Sequence, residues 1–170
     1  IEECAFYTSW REVENNLTGR LILPASLRYI GESAFERCKF TCELLLPDQL
    51  EYIGGAAFIN CDRLFGNLVI PKGISKIENS CFQGTKGLNG RLIIPEGVTE
   101  IEEFAFAQSG ITSVSIPQSV SVIRNGAFLN SSIQGPVFLP ESLNYLGWQS
   151  FESTRITYID LPETLSRLHS

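Results

Sequence analysis

Residue types that could do chemistry are scarce in this chain. The single histidine, His169, stands one residue from the end, so neither a histidine-based catalytic triad nor a histidine-rich zinc site is expected. Glu78, Glu102 and Glu103 are scattered over outward positions. Paired carboxylates act on a glycosidic bond only across a cleft, and nothing in the pattern implies one. Gly54-Gly55 and Gly84 with Gly87 read as turn glycines rather than a phosphate loop. The five cysteines are an odd number and cannot form a complete intramolecular set of disulfides. Cys4 and Cys81 are assigned to a small-residue core position beside phenylalanine, where a free thiol packs as a small hydrophobe. Cys38 and Cys61 share one repeat position with Ser9, Thr85, Ser109, Ser131 and Thr154, a ladder of small polar groups suited to capping backbone from rung to rung. A Cys38–Cys61 disulfide is geometrically conceivable at one-rung spacing. A metal site at Cys38, Cys42 and Cys61 lacks a fourth ligand. The expectation is a protein with no enzymatic activity, no metal and no cofactor.

Other functions narrow through composition. The chain has 170 residues, is 44% hydrophobic and 19% charged, and carries a net charge of -6. That composition is globular, and the acidic balance argues against nucleic acid, which requires a basic face. No apolar run approaches the roughly 18 residues of a membrane helix, so direct membrane insertion of this segment is not expected. Two N-x-S/T sequons, Asn16-Leu17-Thr18 and Asn130-Ser131-Ser132, would matter only in a eukaryotic secretory pathway.

What positions these residues is a repeat. Prolines fall at Pro24, Pro47, Pro71, Pro95, Pro117, Pro140 and Pro162, every 22 to 24 residues, and only Pro136 is out of frame. Eleven residues after each of the first six comes Phe, at Phe35, Phe58, Phe82, Phe106, Phe128 and Phe151, and Phe6 fits the same place. Ile or Leu recurs six after the Pro (Ile30, Ile53, Ile77, Ile101, Ile123, Leu146), and aliphatic residues recur one and three before it. The segment Leu-x-Ile-Pro has period two, so it predicts a short strand with alternate residues inward, ended by a Pro that lacks an N–H. Pro is assigned to the second position of a turn whose fourth position is Ser26, Gly73, Gly97, Ser119 or Ser142. A second, very short strand follows. The Ala-Phe step reads as one helical or 3₁₀ turn, and the Gly of connections such as Leu17-Thr18-Gly19-Arg20-Leu21 is expected at positive φ, with Cys42 in that Gly position of one rung. No rung can bury its own apolar face, but stacked rungs can. At about 4.8 Å per rung, about seven rungs give a body about 35 Å long. The fold expected is one leucine-rich-repeat solenoid over residues 1–170, with short parallel β-strands.

Segments such as Leu92-Ile93-Ile94-Pro95-Glu96-Gly97-Val98-Thr99-Glu100-Ile101, followed by Phe104-Ala105-Phe106, resemble the BspA-like leucine-rich repeat, of the form IPxxVxxIxxxAF. The resemblance runs through every rung. Such repeats occur in surface and secreted proteins of bacteria and of some parasitic protists. The resemblance therefore implies an extracellular or cell-surface setting and adhesion to a host or other protein, and it carries no catalytic residues. One departure concerns the position two before Pro, often Thr in that family. Here it holds Ile22, Leu45, Val69, Ile93, Ser115, Phe138 and Asp160.

Three surfaces are candidates for a partner. Residues two before Pro lie between inward positions and should point outward, so Ile22, Leu45, Val69 and Ile93 form an apolar stripe, with Phe138 further along. Partial shielding by Arg20, Glu43 and Arg91 is the structural alternative. The interval from Phe6 to Pro24 is longer than its equivalents and holds Tyr7, Trp10 and Arg11, as a hot spot or as a cap on the stack. Tyr29, Tyr52 and Tyr145 share an outward position of the second strand, with Trp148 three residues beyond Tyr145; these aromatics could form a platform for a glycan. The chain starts and stops in mid-rung without an evident polar cap, as expected of a piece of a longer array or of ends that pair with one another. A protein-binding scaffold leads. A passive spacer presenting another domain and a glycan-binding module are the rivals.

Overall fold

The computed structural model describes residues 1–6 and 17–165. They wind into a parallel β-solenoid of about six turns, against the about seven rungs expected from the prolines. All strand pairs run parallel. Leu68–Val69, Arg91–Ile93 and Ser113–Ser115 form a three-stranded sheet in that order, in the register Leu68↔Leu92↔Val114. Lys76–Ile77, Glu100–Ile101, Val122–Ile123 and Tyr145–Leu146 form a four-stranded sheet just past the Pro turns. Tyr29–Ile30 with Tyr52–Ile53 continues that second face, and Gln134–Phe138 with Arg155–Asp160 continues the first. Thr18–Gly19 pairs with Lys39–Phe40. Each rung contributes only two to six residues to a sheet, so stability comes from what the rungs stack between them.

That content is a column of phenylalanines. Phe6, Phe35, Phe58, Phe82, Phe106, Phe128 and Phe151 stack ring on ring, with centroids 5.4, 5.2, 5.5, 5.6, 5.3 and 5.0 Å apart and planes within 18° of parallel. The five rings from Phe35 to Phe128 are fully buried. Columns of Ile, Leu and Val surround them. The small neighbours Ala34, Ala57, Cys81, Ala105 and Ala127 are buried too, as close approach of successive rungs demands.

Two local assignments differ from the sequence reading. No helix or 3₁₀ segment is present among the described residues. The Phe step is instead a run of tight turns: Ala34, Glu36 and Cys38 donate to carbonyls three residues back, while Ser33, Phe35 and Arg37 donate to Gly55, Ala57 and Ile59 of the next rung. Residues in left-handed φ punctuate the run, Ser33 at 51° and Arg37 at 58° in this rung, with counterparts at Ala56, Asn60, Phe104 and Gln108. Every second N–H must cross to the neighbouring rung, and a helix would direct all of them along its own axis. The Pro also stands at the first position of its turn, not the second. Its carbonyl accepts from the residue three on, as for Pro24 from Leu27, Pro71 from Ile74 and Pro140 from Leu143. Ser or Gly is thereby the third residue, where Gly97 takes φ 105°. A hydroxyl there ties two rungs: Ser119 Oγ donates to Val98 O at 2.7 Å and Ser142 Oγ to Val120 O at 2.7 Å. The connecting glycines follow expectation at Gly19 and Gly66, both at φ 89°, but Gly90 does not share the positive φ.

Candidate binding face

The outward stripe is exposed where the alternation of the strands places it. Leu68, Ile70, Leu92 and Ile94 are buried, and between them Val69 and Ile93 stand out, paired across adjacent strands. Ile22 is 78% exposed, Leu45 71%, Val69 52%, Ile93 41% and Phe138 62%. Shielding by long neighbours therefore leaves much of each side chain in water. Ser115 interrupts the stripe, pairing with Ile93, so Ile22 to Ile93 form one patch and Phe138 belongs to a second. In that second patch the exposed Tyr158 approaches Phe138 with ring centroids 6.1 Å apart. Tyr158 escaped the sequence reading. Its signal was the out-of-frame Pro136, which marks an irregularity after Gly135 and pairs with Tyr158.

Beside the first patch lies a shallow concavity of about 840 Å³, lined by Val69, Ile70, Pro71, Ile93 and Pro95 with Asp48, Lys72 and Glu96. The three charged residues each follow a Pro, so the rung repeat sets them on one edge with alternating sign. An apolar centre with a charged rim is the anatomy of a protein interface.

The aromatic platform is not continuous. Tyr29 and Tyr52 stack at 4.9 Å on paired strands. The same position in the next three rungs holds Lys76, Glu100 and Val122 before Tyr145 appears. The structure thus separates Tyr145 from the other two, contrary to the expectation of one aromatic face. Trp148 is exposed near Tyr145, its backbone N–H donating to Asn125 Oδ1 at 2.9 Å. Tyr7, Trp10 and Arg11 lie outside the described residues.

Of the scattered carboxylates, Glu78 and Glu102 lie near cations, while Glu103 accepts from the Asn125 side-chain amide at 3.2 Å. Lys76 Nζ lies 2.5 Å from Glu102, 3.6 Å from Glu100 and 3.8 Å from Glu78. Arg124 reaches Glu100 at 2.5 Å and Glu102 at 3.2 Å. Burial holds the Glu78 carboxyl above its ordinary range; Lys76 opposes that shift, and the Glu102 and Glu100 charges add to it. The five cysteines are thiols, with no disulfide between Cys38 and Cys61. Cys61 instead donates to Phe35 O at 2.9 Å. Burial, reinforced by the neighbouring Cys38 thiol, pushes Cys61 far up, and burial does the same to Cys81. Cys42 accepts from the Leu21 N–H at 3.3 Å. Cys4 departs from its assignment. It stands two before Phe6, in the left-handed position at φ 53°, and is exposed, while Ala5 occupies the small-residue place. Among the described residues no group of three or more His, Cys, Asp or Glu side chains is placed to hold a metal ion.

A parallel solenoid with a proline-terminated strand, a phenylalanine column and rungs of 22 to 24 residues defines a leucine-rich-repeat protein. The chain belongs to the family described as the BspA type leucine rich repeat region, whose model matches in six copies over residues 1–89 and 64–170. Two solved structures share the fold. A leucine-rich repeat protein from Bacteroides ovatus ATCC 8483 superposes with a TM-score of 0.67 at 23% identity, covering 85% of this chain and 40% of that one. A leucine rich cell surface protein from Faecalibacterium prausnitzii A2-165 superposes with a TM-score of 0.54 at 20% identity, covering 84% of this chain and 48% of that one. The chain thus spans less than half the length of either. No curated protein matches it.

Proposed function

We propose that this solenoid is a non-enzymatic protein-binding scaffold of a cell-surface or secreted protein, and that residues 1–170 form one unit of a longer array. The observation that carries the reading is the apolar patch of Ile22, Leu45, Val69 and Ile93, exposed on consecutive rungs beside the charged edge of Asp48, Lys72 and Glu96. Water-exposed aliphatic side chains on consecutive rungs contribute little to the core and offer the contiguous apolar surface that an interface uses. Membership of the family and the description of one structural neighbour as a cell surface protein support the setting. Among the described residues no helix is long and apolar enough to cross a membrane.

The test compares capture of proteins from serum and cell-surface extracts by the wild-type fragment and by Val69→Lys/Ile93→Glu. The two new charges face one another across paired strands, so they attract instead of repelling. A partner held by the wild type and released by the folded variant supports the strand-face interface. Equal capture by both removes the apolar patch from consideration, and capture by neither leaves the passive spacer.

A further inference from the structure

The outward apolar stripe is complementary to itself. Side-chain exposure falls steadily along it, from 78% at Ile22 and 71% at Leu45 to 52% at Val69 and 41% at Ile93. One half therefore protrudes and the other is recessed. The recessed half borders the concavity of about 840 Å³, walled there by Val69, Pro71, Ile93 and Pro95. A twofold axis parallel to the strands, passing between the Leu45 and Val69 rungs, would set two copies face to face with their long axes antiparallel. Ile22 then meets Ile93 of the second copy, and Leu45 meets Val69. Each protruding side chain faces a recessed one, and every aliphatic residue of the stripe has an aliphatic residue opposite.

The charged edge obeys the same axis. Asp48 and Lys72 follow the prolines of the two rungs that flank it. Both are exposed, and neither makes a salt bridge among the described residues. The rotation brings Asp48 opposite Lys72 of the second copy and Lys72 opposite Asp48, so two unlike pairs form by symmetry. Glu96, one rung on, comes opposite the uncharged Ala25. Moving the axis onto the Val69 rung would set Lys72 against Lys72, Asp48 against Glu96 and Ile22 against Ser115. Moving it onto the Leu45 rung would set Asp48 against Asp48 and leave Ile93 without an aliphatic partner. The register that covers the whole stripe is thus the one that satisfies these charges. On the other edge Arg20 comes opposite Arg91. Both are exposed, where salt screens such repulsion, and Glu43 lies one rung from Arg91 of the second copy.

We propose that the partner of this stripe is a second copy of the chain, in an antiparallel twofold dimer with Asp48–Lys72 pairs along one edge. The proposal rests on the reading of the stripe as a protein interface and names its occupant. A partner of unrelated sequence requires only an apolar surface. Protrusion, apolar length and charge that share one axis are what an isologous contact requires. The footprint is small: four rungs at about 4.8 Å each and a width of about 17 Å place it near about 1,000 Å² of total buried surface, at the low end of specific interfaces. The dimer is accordingly weak and reversible.

Sedimentation equilibrium of the fragment from about 10 µM to about 1 mM measures the association. The wild type should dimerise, and Val69→Lys/Ile93→Glu, folded by circular dichroism, should weaken the dimer at least about tenfold. Asp48→Lys sets lysine against lysine along the edge, and Lys72→Asp sets aspartate against aspartate. Each alone should self-associate at least about fivefold more weakly than the wild type. Mixed in equal amounts, the two variants should pair with one another at close to wild-type strength, because their edges are then complementary. A dimer indifferent to Val69→Lys/Ile93→Glu, or a mixture no stronger than the single variants, would overturn the proposal. A wild type that stays monomeric, with extract capture lost in Val69→Lys/Ile93→Glu, would overturn the self-pairing and keep the stripe as an interface for another protein. A monomeric wild type with equal capture would overturn both readings.

Discussion

Replacing Phe106 by alanine tests the stacking account most directly. The ring is fully buried and lies between Phe82 at 5.6 Å and Phe128 at 5.3 Å. Burying about 150–250 Å² of aromatic surface at about 25 cal/mol per Å² amounts to about 4–6 kcal/mol, of which alanine keeps a small part. Measured core truncations of this kind cost about 3–5 kcal/mol. A domain of this size has about 5–15 kcal/mol in all, so the variant should lose about a fifth of its stability or more. Phe151 is half-buried and has one ring neighbour among the described residues, Phe128 at 5.0 Å. Its truncation should cost about half as much. Because rungs touch only their neighbours, a break at Phe106 should also split unfolding into two steps, while a break at Phe151 should not. Urea denaturation followed by far-UV circular dichroism measures both effects. The double variant Phe82→Ala/Phe106→Ala should cost less than the sum of the singles by about 1 kcal/mol, since the second truncation no longer removes a ring-on-ring contact. If Phe106→Ala cost no more than Phe151→Ala, the column would not be what holds the rungs together.

Three other measurements follow from the same geometry. Burial raises the Glu78 carboxyl, so the folded chain holds that proton to higher pH than the unfolded one; its contribution to stability is full below the unfolded pKa and is lost as pH rises through the folded one. Glu78→Gln should therefore be the more stable protein at pH 7, with the advantage in thermal unfolding closing as the pH falls through the ordinary carboxylate range near about 4.3. Lys76 keeps its 2.5 Å contact with Glu102 in that variant, which limits the loss from the longer Glu78 contact. A thiol reagent should label the native protein at Cys4 alone, since Cys38, Cys42, Cys61 and Cys81 are buried; fast native labelling at two or more of the five would contradict the packing. Gly110→Ala places a Cβ 2.1 Å from a backbone oxygen that cannot rotate away, and should cost about 1–3 kcal/mol by thermal denaturation.

The periodicity made some of this legible and left other parts hidden, for identifiable reasons. The proline frame named the residues that share an environment, so the inward Phe column and the outward position of Val69 and Ile93 were readable before any coordinates. A repeat does not say which carbonyl each N–H finds. Both a helical turn and a run of tight turns bury Phe35 beside Ala34, and only the alternation of in-rung and cross-rung bonds at residues 33–38 separates them. The same ambiguity displaced Pro by one place in its turn, since its missing N–H suits either position. Column membership also says nothing about continuity: Tyr29 and Tyr145 share a position, yet Lys76, Glu100 and Val122 stand between them.

The division of labour within a rung explains how one such scaffold can change its ligand without losing its fold. Inward positions are coupled to both neighbouring rungs through rings and aliphatic side chains, so a change at Phe106 is felt along the stack. Outward positions such as Val69 meet mainly their cross-strand partner Ile93, and such pairs contribute about 0.2–1 kcal/mol. A charge pair replacing them lies within the same range, which is why Val69→Lys/Ile93→Glu should fold while presenting a different chemistry to a partner. The register that stacks the phenylalanines also sets the outward side chains at rung spacing, so an outward stripe follows from the core pattern and its composition is left open. Ile22, Leu45, Val69 and Ile93 are not required by the core, because the solenoid would be built as well with polar β-formers in their place, and the interface proposed above would account for them.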